Sequence, residues 1–421
     1  MKLLNLFCGI AVCLLGTTAC SDHHEPNELS PNKRGDIALS VKSKEASVEL
    51  LDFYTDFTTQ AIEMNLNNKE KTDKNTIVSP LSTAMLLGMI ANGMEDKNEV
   101  QKIANYIGVS DMKALNELSR TLLTSLPSVD NQSEFILKNA IWANKDLSFF
   151  DTFSSIMSQD YQAKLELNDF SNEKEVVSTI NRWCSDQTNG RITTAIDNIS
   201  ASDLAILINA ILFRSKWENE FEFDVKETKK ASFHGFSKQT TADFMVSSRK
   251  RRWYSVSPNF SSCTLSLGNG AFYLNLVLPD DKMSPDKISH LYNKEEAIAL
   301  SESSQQCSVI VEIPKFKLNG TFDLKQLLEK AGVISMSESI LWSMFSPTAE
   351  GGLIMKQNTS FEIDEKGATA AVVSVGEMTN SALPIDPNKE YTMVFDRPFY
   401  FFLRETSTGT CLLSGLIADI D

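Results

Sequence analysis

A serine hydrolase needs a nucleophile, a general base and an acid that orients the base. This chain of 421 residues holds four histidines. His23 and His24 sit in a polar N-terminal stretch, which leaves His234 and His290 as possible bases. Neither lies near a G-x-S-x-G elbow, because the sequence has none. The phosphate-binding patterns G-x-x-x-x-G-K-[ST] and strand-linked G-x-G-x-x-G are missing too, as is His-x-x-x-His spacing. Paired-carboxylate chemistry cannot be singled out among 55 acidic residues. His234 is read as a packed or hydrogen-bonded imidazole. The residue types point away from an enzyme, and no metal or cofactor is expected.

The cysteines tell the same story. There are seven, and no two form a CxxC pair. Cys184, Cys263, Cys307 and Cys411 are widely spaced and read as buried structural thiols, with a Cys263–Cys307 bridge left open. Lys plus Arg is 40, giving a net charge of −15. That acidity opposes bulk nucleic-acid binding, which runs on cations neutralising phosphates. The basic run Arg249-Lys250-Arg251-Arg252 is read as a solvated loop between strands, with a polyanion or protease-docking patch as the sharper alternative.

The elements that must carry any site follow. Residues 1–20 read as a signal peptide: Lys2, an apolar run from Leu3 to Leu15, then small residues before Cys20. The segment resembles a bacterial lipoprotein signal with Cys20 as the lipid anchor; plain secretion is the alternative. Residues 21–46 are polar and read as a flexible tether. Residues 47–66 repeat apolar residues at helical spacing. Ser79 fits an N-cap, Pro80 a first helical position and Gly93 a C-terminal stop. Between them the helix is apolar all round, so it must be buried in a large domain. Strands dominate the second half: a hairpin around Gly268-Asn269-Gly270 ending at Pro279, alternation over 307–318 around Pro314, and apolar runs 399–403 and 411–418. Helices early and strands late predict an α+β chain folded as one large domain over 47–421.

One stretch breaks the local pattern. Phe361–Gly367 reads FEIDEKG; nine uncharged small or β-branched residues follow, and then a long polar, proline-bearing segment. Small residues at 368–375 suit a strand that must slide between two strands already packed on a core, where bulk or charge would clash or lie unpaired. Taken alone, this segment reads first as an ordinary edge strand followed by a surface loop.

With several others, that segment resembles the serpin family, across residues 47–421. Asn75–Ser82, Asn139-Ala-Ile-Trp142, Asn181-Arg-Trp183, Thr188–Ile192, Leu207–Ala210 with Phe213–Trp217, Ile363–Gly367, Phe395–Phe399 and Leu412–Gly415 carry the match by their order and spacing. The resemblance implies a serpin fold with a main mixed sheet, further sheets, eight or nine helices and an exposed reactive-centre loop at about 365–390. Glu365 and Gly367 would begin the loop's hinge. Ala368, Thr369, Ala370, Ala371, Val372 and Val373 would enter the main sheet. Ser79, Ser82 and Asn209 would sit where that sheet parts, Trp217 at its top, and Lys315 would pair with Glu365. Gln357 stands where animal members carry a buried His. Val372 and Val373 are bulkier than the residues often found there.

The implied activity is inhibition of a protease by a single-use trap, without a catalytic residue of its own. Counting from the hinge Glu places the scissile bond at Ser381-Ala382, with Met378, Asn380 and Leu383 as alternatives. The implied partner is a serine protease, elastase-like or subtilisin-like, with cysteine proteases also open. The chain is expected to be a monomer, exported, at the outer membrane or cell surface or secreted, and to touch membrane only through an N-terminal lipid. The alternative is a non-inhibitory surface binding lipoprotein of the same fold, favoured by the Val372-Val373 pair.

Overall fold

The computed structural model describes residues 34–420, apart from 219–221, 281–283, 285–286, 289–290, 334–340, 347, 351–352 and 368–384. The described residues form eight α-helices: α1 (Val41–Asn67), α2 (Pro80–Asn92), α3 (Lys97–Ile107), α4 (Met112–Ser125), α5 (Asp151–Tyr161), α6 (Glu173–Gln187), α7 (Lys294–Ser303) and α8 (Leu324–Lys330). The strands are β1 (Thr76–Val78), β2 (Ser133–Asn144), β3 (Lys164–Asn168), β4 (Ala205–Ser215), β5 (Lys229–His234), β6 (Gln239–Val246), β7 (Lys250–Val256), β8 (Phe260–Leu267), β9 (Phe272–Pro279), β10 (Gln305–Pro314) and β11 (Phe316–Asp323). There follow β12 (Leu341–Trp342), β13 (Ala349–Glu350), β14 (Leu353–Ile363), β15 (Glu390–Val394), β16 (Phe399–Glu405) and β17 (Cys411–Ile417).

Local sequence explains the helix starts. Ser79 caps α2 by accepting from Ser82 N, with Pro80 in the first turn and Gly93 closing the end. Every residue from Pro80 to Ala91 is buried, as an all-apolar helix demands. The start of α1 corrects the expected 21–46 tether. Ser40 caps this helix by accepting from Ser43 N, and Ser43, Ala46 and Ser47 are buried. Small polar residues packed at a helix contact read, in sequence, like a linker.

Two sheets carry the core. A ten-stranded sheet runs β1-β17-β16-β9-β8-β7-β10-β6-β5, with β15 also on β10. Its pairs are antiparallel except β10 with β15. The expected hairpin is β8–β9, turned through Gly268 and Gly270 at positive φ. The second sheet is mixed and five-stranded, in the order β11-β14-β4-β2-β3. The alternating run around Pro314 divides between the two sheets as β10 and β11, with Lys315 as the hinge residue between them.

The five-stranded sheet is covered on both faces. Leu207, Ile211 and Phe213 of β4 face the main core, while Ile206, Ile208 and Ala210 face a smaller core under α6 with Trp142, Ile180 and Cys184. A strand buried on both sides reads as a continuous apolar run, and β4 does.

The basic run is corrected as well. Lys250, Arg251 and Arg252 start β7 rather than a solvated loop. Arg252 is buried and ion-paired with buried Glu222, and it also donates to Val309 O. Lys250 Nζ lies 2.9 Å from Glu222 Oε2, and Arg249 Nη1 2.9 Å from Glu390 Oε1. Arg252 and Lys250 are thus spent on Glu222, while Arg249 and Arg251 stay at the surface, Arg251 donating to Gln306 O. Cys184, Cys263, Cys307 and Cys411 are buried and free, so Cys263 and Cys307 do not pair.

A sheet seam and its hinge as the candidate functional site

The five-stranded sheet holds two parallel pairs, β2–β3 at its edge and β4–β14 inside it. β4 and β14 lie parallel, in register from Leu353–Ala205 to Ser360–Leu212. Parallel ladders are slightly less stable per residue than antiparallel ones. Beyond Ser360 the ladder stops. Phe361, Glu362 and Ile363 pair only with β11, and Phe213, Arg214 and Ser215 only with β2. The parted ends open into a polar cleft of about 480 Å³ lined by Glu134, Arg191, Arg214, Lys216, Glu362 and Lys366, among others. Arg191 pairs with Glu362 at 3.0 Å and Arg214 with Glu134 at 3.3 Å, both solvent-exposed.

Lower down, polar side chains interrupt the apolar strands. Asn139 on β2 and Asn209 on β4 are register partners, and Asn209 Nδ2 donates to Asn139 Oδ1. Asn139 Nδ2 in turn donates to Tyr161 O at 2.7 Å. Across the seam from Asn209 stands Gln357 of β14. Its Oε1 accepts from Ser79 N at 2.6 Å; its Nε2 donates to Ser79 O at 2.9 Å and Thr83 Oγ1 at 3.1 Å. Gln357 thus ties the sheet to the first turn of α2, and all these groups are buried. Three buried polar atoms here, Ser82 Oγ, Asn209 Oδ1 and Asn358 Nδ2, have no hydrogen-bond partner.

At the top the chain leaves β14 through a turn. Asp364 Oδ1 accepts from Lys366 N at 2.8 Å and Gly367 N at 3.2 Å. Trp217, just past β4, donates Nε1–H to Asp364 O at 3.0 Å. Glu365 is buried, with Lys315 Nζ and Thr228 Oγ1 each 2.6 Å from its Oε1. Burial pushes its carboxyl up, but the bonds from Lys315 and Thr228 outweigh that and hold it below the ordinary glutamate value. Gly367 is there for space: a Cβ on it would stand 1.9 Å from Ser215 O. The turn therefore starts on β14 and rests on the end of β4, spanning the seam.

The structure brings together the residues singled out in sequence: Ser79, Ser82 and Asn209 at mid-seam, and Trp217, Lys315, Glu365 and Gly367 at its top. Sequence reasoning gave no role to Asn139, Thr228 or Asp364. An asparagine inside an otherwise apolar strand was a signal for Asn139; Thr228, 137 residues from Glu365, offered none. Ala368, Thr369, Ala370, Ala371, Val372, Val373, Met378, Asn380, Ser381, Ala382 and Leu383 lie outside the described residues, as do Cys20 and His290. His234 ends β5 opposite Gln239, and among the described residues no His/Cys/Asp/Glu group is placed to hold a metal.

A model of the family described as "Serpin (serine protease inhibitor)" matches residues 54–420. Serpin-ZX of Arabidopsis thaliana is 28% identical over 369 residues, covering 82% of this chain and 92% of that protein. The fold superposes on human thyroxine-binding globulin complexed with thyroxine at a TM-score of 0.75, with 21% identity, covering 90% of this chain and 100% of the other. It superposes at 0.73 on an Arabidopsis serpin in its native stressed conformation, with 23% identity and coverage of 91% and 100%. A domain with this seam and this fold is a serpin, and the chain belongs to that family of protease inhibitors rather than to a class of enzymes.

Proposed function

We propose that the chain is a single-use protease trap. The observation that carries this reading is the order of strands around the seam. β4 and β14 are parallel neighbours, and the chain leaves β14 directly into the hinge. A segment folding back from Gly367 would run antiparallel to β14 as its hairpin partner, and antiparallel to β4 on the other side. One parallel ladder would give way to two antiparallel ones. The small residues at 368–375 suit that position. At about ten new backbone bonds worth ~1 kcal/mol each, on the order of 10 kcal/mol becomes available. That is comparable to a typical domain's whole stability, enough to deform a protease still attached to the cut loop.

The target we infer is a serine protease that acts after a small residue, elastase-like or subtilisin-like, at Ser381-Ala382. We further infer an exported monomer held at the bacterial surface by lipid on Cys20. Among the described residues no helix is long and apolar enough to cross a membrane.

The test is incubation of the purified chain with elastase-like, subtilisin-like and trypsin-like proteases, followed by a denaturing gel and mass spectrometry. A covalent adduct with the bond after Ser381 cut is expected, and Ala368→Arg should give cleavage without adduct. Clean cleavage by every protease, with no adduct and no gain in thermal stability, would sink the proposal in favour of a non-inhibitory binding protein.

A further inference from the structure

The segment before α1 does not behave as a tether. Gly35 N donates to Val129 O at 3.0 Å, in the α4–β2 loop. Arg34 Nη1 donates to Gly270 O at 3.2 Å, in the β8–β9 turn. Ile37 N donates to Ser407 Oγ at 2.9 Å, in the β16–β17 turn, and the Ile37 side chain is buried in the main core. Leu39 packs against the same core. Six residues thus bind three loops that are remote from one another in sequence.

Each receiving loop is itself fixed. Ser407 N and Oγ both bond to Glu405 Oε1, on a carboxylate that is fully buried. Buried Asp130, next to Val129, accepts from Asn269 N at 2.7 Å and Asn269 Nδ2 at 3.1 Å. From the 268–270 turn the connection reaches the hinge. Gly268 N donates to Lys216 O at 2.9 Å, Glu218 N to Ser266 O at 3.0 Å, and Trp217 forms a bridge with Leu267. Ser133 Oγ and Ser215 Oγ lie 2.7 Å apart. Ser215 and Lys216 are the backbone on which Gly367 rests, and Trp217 holds Asp364 O.

We propose that Arg34–Leu39 is a strap that braces the parted end of the five-stranded sheet, holding residues 215–218 and hence the hinge in place. Its physical basis is restraint. A segment pinned at three points lowers the freedom of the loops it joins, and those loops form the wall against which the hinge packs. An N-terminal pull or a binding partner that peeled the strap away would loosen the seam's top end. The proposal concerns the uncut protein, so it stands or falls independently of whether a protease is trapped.

Hydrogen exchange on the full chain tests it. Gly35→Pro removes the donor to Val129 O, and Ile37→Ser removes the apolar plug. In the double variant the amides of Glu218, Gly268 and Gly367 should exchange at least about tenfold faster, the loss of one net hydrogen bond's restraint. Exchange in β5, β6 and α7 should stay unchanged. Should the double variant fail to fold, Gly35→Pro alone, which removes the donor to Val129 O, should give the same pattern more weakly. Faster exchange confined to residues 35–39 and their immediate partners would overturn the proposal. So would a uniform rise across all strands, which would mean general destabilisation.

Discussion

Gln357 is the residue whose removal tests the seam most directly. It is fully buried, and its amide is the sole partner of Ser79 N, while Ser79 O keeps a second donor in Thr83 N at 3.1 Å. Gln357→Ala would leave one buried N–H unsatisfied, costing about 1–3 kcal/mol. The missing side chain adds roughly 1 kcal/mol of lost packing. The sum is about 2–4 kcal/mol. For a chain of this length each kcal/mol moves the melting point by about 1 °C, so a drop of roughly 2–4 °C is expected. Scans of uncut protein at one fixed rate would measure it, because a trap of this kind need not unfold reversibly. Gln357→Glu sharpens the test. Its carboxyl would face Ser79 O and the Thr83 hydroxyl in a buried site, so its folded pKa would rise above the unfolded value near 4.3. The variant should therefore match the parent below about pH 4 and lose stability as pH rises through the folded pKa. A Gln357→Ala drop below about 1 °C, with a pH-independent Gln357→Glu, would refute the role assigned to this amide.

Four further outcomes are expected. Glu365 is held below its ordinary value in the folded chain, so the hinge contact stabilises above about pH 4.3 and is lost as pH falls through the folded pKa; Lys315→Met should flatten that acid limb in a melting-versus-pH series. Gly367→Ala puts a methyl group into Ser215 O, so the hinge should lift off β4 and limited proteolysis after Asp364 should accelerate several-fold. Arg252→Met removes one of the two cations on buried Glu222 and leaves Lys250 as the other, so it should cost less than the roughly 3–5 kcal/mol of breaking an isolated buried pair, and the Lys250→Met/Arg252→Met double variant should cost more than either single change. Burial pushes the thiols of Cys184 and Cys263 up to about 12 and that of Cys411 to about 11, and Cys307 is raised by the same cause, so in protein lacking residues 1–20 none of the four should react with an aromatic disulfide at pH 8 until urea unfolds the chain.

Much of this protein was written locally. The capped, all-apolar α2, the β8–β9 hairpin with its two glycines, and the change of strand at Pro314 follow from spacing, turn chemistry and capping within a few residues of each other. A run of small uncharged residues after Glu365-Lys-Gly367 contrasts with everything around it, but taken alone it also reads as an edge strand, and only the family resemblance made it a hinge. Tertiary structure alone decided which groups meet. A periodic pattern says that a side chain is buried, but its partner depends on how distant segments close on one another. Thus Arg252 looked solvated until Glu222 arrived beside it, and Gln357 looked like a departure until Ser79 N and O were set opposite its amide. Residues 34–46 looked like a linker because small polar residues satisfy a tight helix contact and a loop equally well; only the turns at Val129, Gly270 and Ser407 make them part of the body. The sequence by itself set the elements and the family, through interactions within a turn or a strand. The seam, its lock and its strap are long-range pairings, and their energies exist only once the chain has closed.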